Sequence, residues 1–238
     1  MTELKDKTIL ITGADGGLGT ALVTEFIARN VKKIYATGLK LDNLKSVFEK
    51  FADIVVPIEL DVTNTESIQK CADLCSDTEI LVNNAGVEFK IPFLADKSSQ
   101  AALFEMKVNY IGVIEMINHF LPHLYKNRNS SIVNILSMGS LVVVKRLGTY
   151  CASKTATHIL TETIREELSE KGIKVMAVYM GYVNTQMVPE ETKSKKSEPA
   201  DIVTEICNGI EAENDRIFPD QITRDYIEQN PIKTIFYE

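Results

Sequence analysis

No apolar run in this chain approaches the ~20 residues needed to cross a bilayer, so no membrane partner is expected. There is no basic excess either: 26 Lys and Arg face 33 Asp and Glu, a net charge of −7. A phosphate backbone wants a basic face, which argues against nucleic acid as a main partner. The 4 cysteines and 3 histidines show no metal-ligand spacing. Cys71 and Cys75 stand one helical turn apart and read as buried helix-face residues, and nothing marks Cys151 as a nucleophile. His119 and His123 share that spacing, but Pro122 lies between them and no third ligand is evident; His158 reads as packing. Internal repeats and long linkers are absent, so one domain spanning 1–238 suffices. The charged start Met1-Thr-Glu-Leu-Lys-Asp-Lys7 enters a strand by about Lys7, leaving no room for a signal peptide. A cytoplasmic location is expected, where thiols stay reduced.

What is present is ordinary in bulk, at 45% hydrophobic and 25% charged residues, and ordered in pattern. Short apolar runs predict strands at Thr8–Thr12, Lys33–Thr37, Ile54–Glu59, Ile80–Val82, Ser131–Leu136, Lys174–Tyr179 and Arg216–Phe218. Helical spacing predicts helices at Leu18–Arg29, Leu41–Phe51, Thr65–Leu74, Gln100–Tyr125, Thr149–Lys171 and Pro199–Glu211. That alternation is the pattern of an α/β doubly wound parallel sheet of about seven strands, with helices on both faces. The first six strands lack polar alternation, as expected when both faces are covered.

Two places carry chemistry. The strand Lys7–Thr12 runs directly into Gly13-Ala-Asp15-Gly16-Gly17-Leu18-Gly19 and then into an amphipathic helix. Glycines at such a turn let backbone approach a ligand, and the helix N-terminus offers N–H groups and a positive dipole to a pyrophosphate. Farther on, Tyr150-Cys-Ala-Ser-Lys154 puts a phenol and an ammonium on one helical face, with Ser137 ending a strand upstream. A cation beside the phenol is expected to pull its pKa down from about 10, fitting it for proton exchange with an alcohol or carbonyl oxygen.

These motifs together resemble the short-chain dehydrogenase/reductase family, over about Lys7 to Thr185. Thr12-Gly13-x-x-x-Gly17-x-Gly19 matches its glycine turn and Asn83-Asn84-Ala85-Gly86 matches its N-N-A-G. Asp61-Val62 falls where the family holds adenine, and Asn109, Ser137, Tyr150 and Lys154 match its tetrad. The resemblance implies a Rossmann-type fold and an NAD(P)-dependent oxidoreductase acting on CH–OH or C=O groups of small molecules. It implies cofactor contacts from Thr12, Gly13, Asp15, Gly17, Leu18, Gly19, Asp61, Val62, Asn84, Ala85, Gly86, Tyr150, Lys154, Gly181, Val183 and Thr185. It further implies that Lys154 binds the nicotinamide ribose and that Asn109 holds a water linking Lys154 to solvent. The family's P-G-x-V-x-T reads Met180-Gly181-Tyr182-Val183-Asn184-Thr185 here, so a thioether replaces the proline.

The second predicted strand ends Tyr35-Ala-Thr37-Gly38-Leu39-Lys40, without the acidic residue that binds a ribose 2′-hydroxyl in NAD enzymes. Lys40 can serve a 2′-phosphate as a point charge, while Asp15 opposes one. The expectation is NADP, with NAD the alternative. The polar stretch 186–198, with Lys193, Lys195 and Lys196, reads as a solvated loop at the carboxyl edge of the sheet. By resemblance it is a substrate lid, from which Met187 and Val188 face the ligand alongside Ser137 and Tyr150. Apolar residues spread widely around Gln100–Tyr125, and family members commonly form a homodimer or homotetramer, so self-association is expected. Two other readings are 3-oxoacyl-carrier-protein reduction and, less favoured by an intact tetrad, a dinucleotide sensor without turnover.

Overall fold

A computed structural model describes residues 3–127, 129–187 and 195–233. Seven strands form one sheet in the order β3-β2-β1-β4-β5-β6-β7, and every neighbouring pair is parallel. They are β1 Thr8–Ile11, β2 Lys33–Gly38, β3 Val55–Glu59, β4 Ile80–Asn83, β5 Ser131–Ile135, β6 Lys174–Val178 and β7 Arg216–Ile217. Among the described residues eight α-helices connect or follow them: α1 Gly17–Ala28, α2 Leu41–Phe48, α3 Thr65–Leu74, α4 Ser98–Met106, α5 Gly112–Leu124, α6 Gly148–Leu168, α7 Pro199–Glu211 and α8 Gln221–Gln229.

The strand periodicity of two sorts the core into layers. Ile9, Ile11, Ile34, Val82 and Met176 point to one face, where Leu22 and Phe26 of α1 and Ile206 and Ile210 of α7 cover them. Leu10, Tyr35, Leu81, Ile132 and Val175 point to the other, under Ile68 of α3, Phe120 of α5 and Ile164 of α6. Each strand is therefore apolar at successive positions, which is why the runs show no alternation. The chain crosses from one half of the sheet to the other between β1 and β4, both of which are buried at every residue. Open α/β sheets bind ligands at that switch point, outside the carboxyl ends of the strands.

Strand limits agree with the sequence reading to within a residue, but three helical expectations change. Gln100–Tyr125 is not one helix: a π turn at Lys107–Ile111 separates α4 from α5. The wider turn puts Asn109 inward, where its side chain and carbonyl meet partners on other elements, the sort of local gain that sustains a π turn. The predicted Leu41–Phe51 and Thr149–Lys171 each finish in a 3-10 turn. Helix α8 was not expected at all. Asp220 starts it, accepting from the Thr223 amide at 2.8 Å and the Thr223 hydroxyl at 2.8 Å. No helix of the described residues is long and apolar enough to cross a membrane.

Candidate active site

The two motifs flanking the switch point are stitched together by hydrogen bonds. The Thr12 hydroxyl accepts from the amides of Asn84 (3.0 Å) and Ala85 (2.9 Å), and the Asn84 side-chain amide donates to the carbonyls of Thr12 and Gly13. Gly13 has φ +64, and a Cβ there would lie 3.0 Å from Ala85 Cα, so the turn needs glycine twice over. A Cβ on Gly17 would sit 3.0 Å from the Thr185 side chain, which brings the expected nicotinamide end of the site against the glycine turn. Gly16 caps α1 without any side-chain hydrogen bond, leaving the first-turn N–H groups of Gly17, Leu18 and Gly19 without a side-chain cap. Such a terminus fits an anionic pyrophosphate.

On the neighbouring strand ends, Asp61 braces its own turn by accepting from the Thr63 amide and hydroxyl, both at 2.8 Å. Val62 packs partly buried against the α3–α5 layer. Lys40 is exposed at the N-cap of α2, and Leu39 before it is exposed as well. Gly181 donates to Asp220 at 2.9 Å, fixing the turn after β6. Val183 is buried and bridges Ser197, which ties the end of the 186–198 stretch back to the sheet edge. Met187 is exposed, and its carbonyl accepts from Lys90 at 2.6 Å. Val188 and Lys193 lie outside the described residues.

The four tetrad positions converge beyond β4 and β5. A Cβ at Gly139 would lie 3.4 Å from Ser137 Oγ and 3.6 Å from Tyr150 Cε1, so hydroxyl and phenol ring flank the same point. A Cβ at Gly86 would lie 3.3 Å from Asn109 Oδ1 and 3.5 Å from Lys154 Nζ, which gathers the other two. Asn109 acts as a clamp. Its amide accepts from the Val87 N–H and donates to the Val87 carbonyl and to Ser153 Oγ, each at 2.9 Å, while its own carbonyl accepts from Thr157 at 2.7 Å. Both amide hydrogens are used, so a relay water can meet only a remaining lone pair of Asn109.

The electrostatics differ from the sequence expectation. Burial drives the Tyr150 phenol well above its ordinary pKa, the Glu88 carboxylate adds to the rise, and the Ser137 hydroxyl pulls the other way. Lys154 does not offset that rise. Its ammonium donates to the Ile135 carbonyl at 2.9 Å, stands 6.0 Å from the centre of the tyrosine ring, and is itself brought down to about 8 by burial. Loss of water disfavours both charged forms, and here that outweighs their mutual attraction. At neutral pH the pair is therefore a neutral phenol beside an ammonium.

Sequence reasoning missed several residues around the phenol. The Glu88 side chain is nearly buried, 3.8 Å from Lys90 Nζ, and burial raises its pKa. Glu105 is fully buried and accepts from the Phe89 amide at 2.8 Å. Arg146 lies over the Tyr182 ring at 5.6 Å and donates to another atom of that side chain, the hydroxyl, at 2.9 Å. Nothing in the spacing of these residues announces a site.

Burial of Lys154 has a stability consequence with a definite sign. Between about 8 and the ordinary lysine value near 10.4, the unfolded chain holds a proton that the folded chain has released. Stability from this group thus rises with pH across that window, and below 8 its full cost applies. Lys154→Met should raise the free energy of unfolding at pH 7 by roughly 1–2 kcal/mol, a gain seen as a higher denaturation midpoint that shrinks by pH 9.5. Equal midpoints for the two proteins at pH 7 would refute the argument.

The short chain dehydrogenase family model matches residues 7–196. An uncharacterized oxidoreductase of Staphylococcus saprophyticus is 31% identical over 213 residues, 85% of this chain and 90% of the relative. A short chain dehydrogenase from Burkholderia cenocepacia, solved in complex with NADP, is 30% identical with a TM-score of 0.89, covering 95% of this chain and 93% of that one. A short chain dehydrogenase/reductase from Burkholderia phymatum, solved in complex with NAD, has a TM-score of 0.83 over the full length of both chains. At 23% identity this last likeness speaks for the fold alone.

Proposed function

The chain belongs to the short-chain dehydrogenase family of oxidoreductases, and we propose that it interconverts an alcohol and a carbonyl on a small molecule, with Tyr150 as the proton-exchanging group. The observation that carries this reading is the convergence of Ser137, Tyr150, Lys154 and Asn109 beside the glycine turn. The turn's uncapped N–H groups and its stitching to Asn84 and Ala85 fit a nicotinamide dinucleotide, as found bound in the Burkholderia relatives. That cofactor supplies or takes up the hydride.

The chain's own residues handle the oxygen and its proton. Ser137 and Tyr150 hydrogen-bond a carbonyl oxygen between them and so orient the carbon for transfer. A phenol kept neutral by burial is a proton donor at pH 7, the form that the reductive step needs. The Lys154 ammonium would hold the ribose end of the cofactor, and a water on the free lone pair of Asn109 would join Lys154 to solvent, the source of the proton that replaces the one Tyr150 gives up. Met187 and Val188 contact substrate from the 186–198 stretch. A spectrophotometric screen at 340 nm of both cofactors against varied carbonyls and alcohols tests the reading; no turnover with any pair would overturn it.

Assembly into a homodimer or homotetramer belongs to the same reading. Leu103, Phe104 and Ile111 on the α4–α5 segment and Ile159 on α6 are exposed, whereas Val108, Val113, Ile117 and Phe120 face inward. The expected outcome in light scattering is a mass at least twice 26.6 kDa, and a monomer at micromolar concentration would refute it.

A further inference from the structure

The carboxylate of Asp15 stands where a side chain on Gly38 would be. A Cβ built on Gly38 would lie 2.6 Å from Asp15 Oδ1, 3.1 Å from its Cγ and 3.4 Å from Oδ2. Gly38 closes β2, the strand whose end carries the ribose-binding acid in dinucleotide-binding sheets. This chain has no acid there, and the glycine turn delivers one to the same point. The delivery is rigid: the Ala14 amide donates to the Thr37 carbonyl at 2.8 Å, and the Thr37 hydroxyl donates to the Ile11 carbonyl at 3.0 Å. Among the described residues none donates to the Asp15 carboxylate, so both its oxygens are available as acceptors. Lys40, just past β2, is exposed and, among the described residues, forms no ion pair with Asp15.

Building on the reading of this chain as a dinucleotide-dependent oxidoreductase, we propose that Asp15, seated over Gly38, accepts the adenosine ribose hydroxyls and makes the site select NAD over NADP. A carboxylate accepts hydrogen bonds from two vicinal hydroxyls and repels a 2′-phosphate at close range. Lys40 does not reverse this, because an exposed lysine is a screened point charge on a mobile stem. The expectation of NADP from the sequence set Lys40 and the missing β2 acid above the opposing Asp15, and the fold seats the Asp15 carboxylate over the position of that missing acid.

The test reads binding and not turnover. Isothermal calorimetry with NADH, NADPH, ADP-ribose and 2′-phospho-ADP-ribose should show the unphosphorylated member of each pair bound more tightly by the wild-type protein. Asp15→Ser should move that ratio toward the phosphorylated member by roughly 10- to 100-fold. Gly38→Ala should weaken NADH and not NADPH, because the added methyl displaces the Asp15 carboxylate without adding a charge. The double variant Asp15→Ser with Gly38→Asp should recover selection for NADH, the acid now arriving from β2. Tighter binding of NADPH by the wild-type protein, or an unchanged ratio in Asp15→Ser, overturns the assignment. Failure of every ligand to bind overturns the dinucleotide reading itself, so the two failures are distinguishable.

Discussion

Tyr150→Phe should lower turnover at least ~10²-fold, the usual scale for removing a general acid, while fold and dinucleotide affinity persist. The substitution deletes one oxygen from a side chain whose ring packs with Leu147, Cys151 and Val144. That apolar cluster is kept, so a collapse of the fold is not the expected route of loss. The neighbouring backbone is also held independently: Ser153 donates to the Tyr150 carbonyl at 2.8 Å, and the Asn109 amide donates to Ser153. The measurement is kcat with the best carbonyl from the 340 nm screen, alongside calorimetric affinity for the dinucleotide. The pH profile adds a second readout. Because burial raises the phenol and Glu88 raises it further, reductive turnover should not fall through loss of the Tyr150 proton below the ordinary tyrosine range near 10. Glu88→Gln removes part of that rise and should move the alkaline limb downward. A folded Tyr150→Phe protein with near-normal turnover would end the assignment.

The sheet was legible because both of its faces are covered. Strands such as Thr8–Ile11 and Ile80–Asn83 are buried at every residue, so each is a short apolar run that nothing else imitates. The glycine turn and the Tyr150–Lys154 helix were legible for a different reason: their spacing is set by backbone geometry and survives in one dimension. What was not legible depends on meetings across the fold. The π turn at Lys107–Ile111 is sustained by Val87, Ser153 and Thr157, none of them near it in sequence. Glu88 and Glu105 look like surface carboxylates until the fold places them beside Tyr150. The pKa argument failed similarly. Helical spacing places Lys154 on the right face, but the depth at which both groups lie decides which form is favoured, and depth is not written in the spacing. Asp15 and Gly38 meet only because β1 and β2 are paired in register, Ile11 beside Ala36.

Glu162→Gln should destabilise the protein by about 2–4 kcal/mol, since it uncouples a nearly buried charge network. The carboxylate binds Arg165 at 2.7 Å and Arg216 at 2.5 Å, and the Tyr179 hydroxyl donates toward it at 3.5 Å. Arg165 and Arg216 in turn reach β6 and β7: Arg165 donates to the Val175 carbonyl at 2.9 Å, and Arg216 lies on β7 itself. The network thus pins the second half of α6 to the sheet edge, about three turns beyond Tyr150 and two beyond Lys154 on the same helix. Those two cations hold the Glu162 carboxyl down at about 2, against an ordinary glutamate near 4.3. A depressed carboxylate stabilises fully above its unfolded value and loses that contribution as pH falls through the folded one. The wild-type protein should therefore lose stability between about pH 4.3 and 2, and Glu162→Gln should lose much less over that interval. Asp or Ala in place of Glu162 should be worse at neutral pH, because neither spans both guanidinium groups. Urea denaturation midpoints at pH 7 and pH 3.5 measure the difference directly. If the variant and the wild-type protein keep the same midpoints at both pH values, Glu162 does not anchor α6, and the position of Tyr150 rests on the Asn109–Ser153 clamp and the Lys154–Ile135 bond instead.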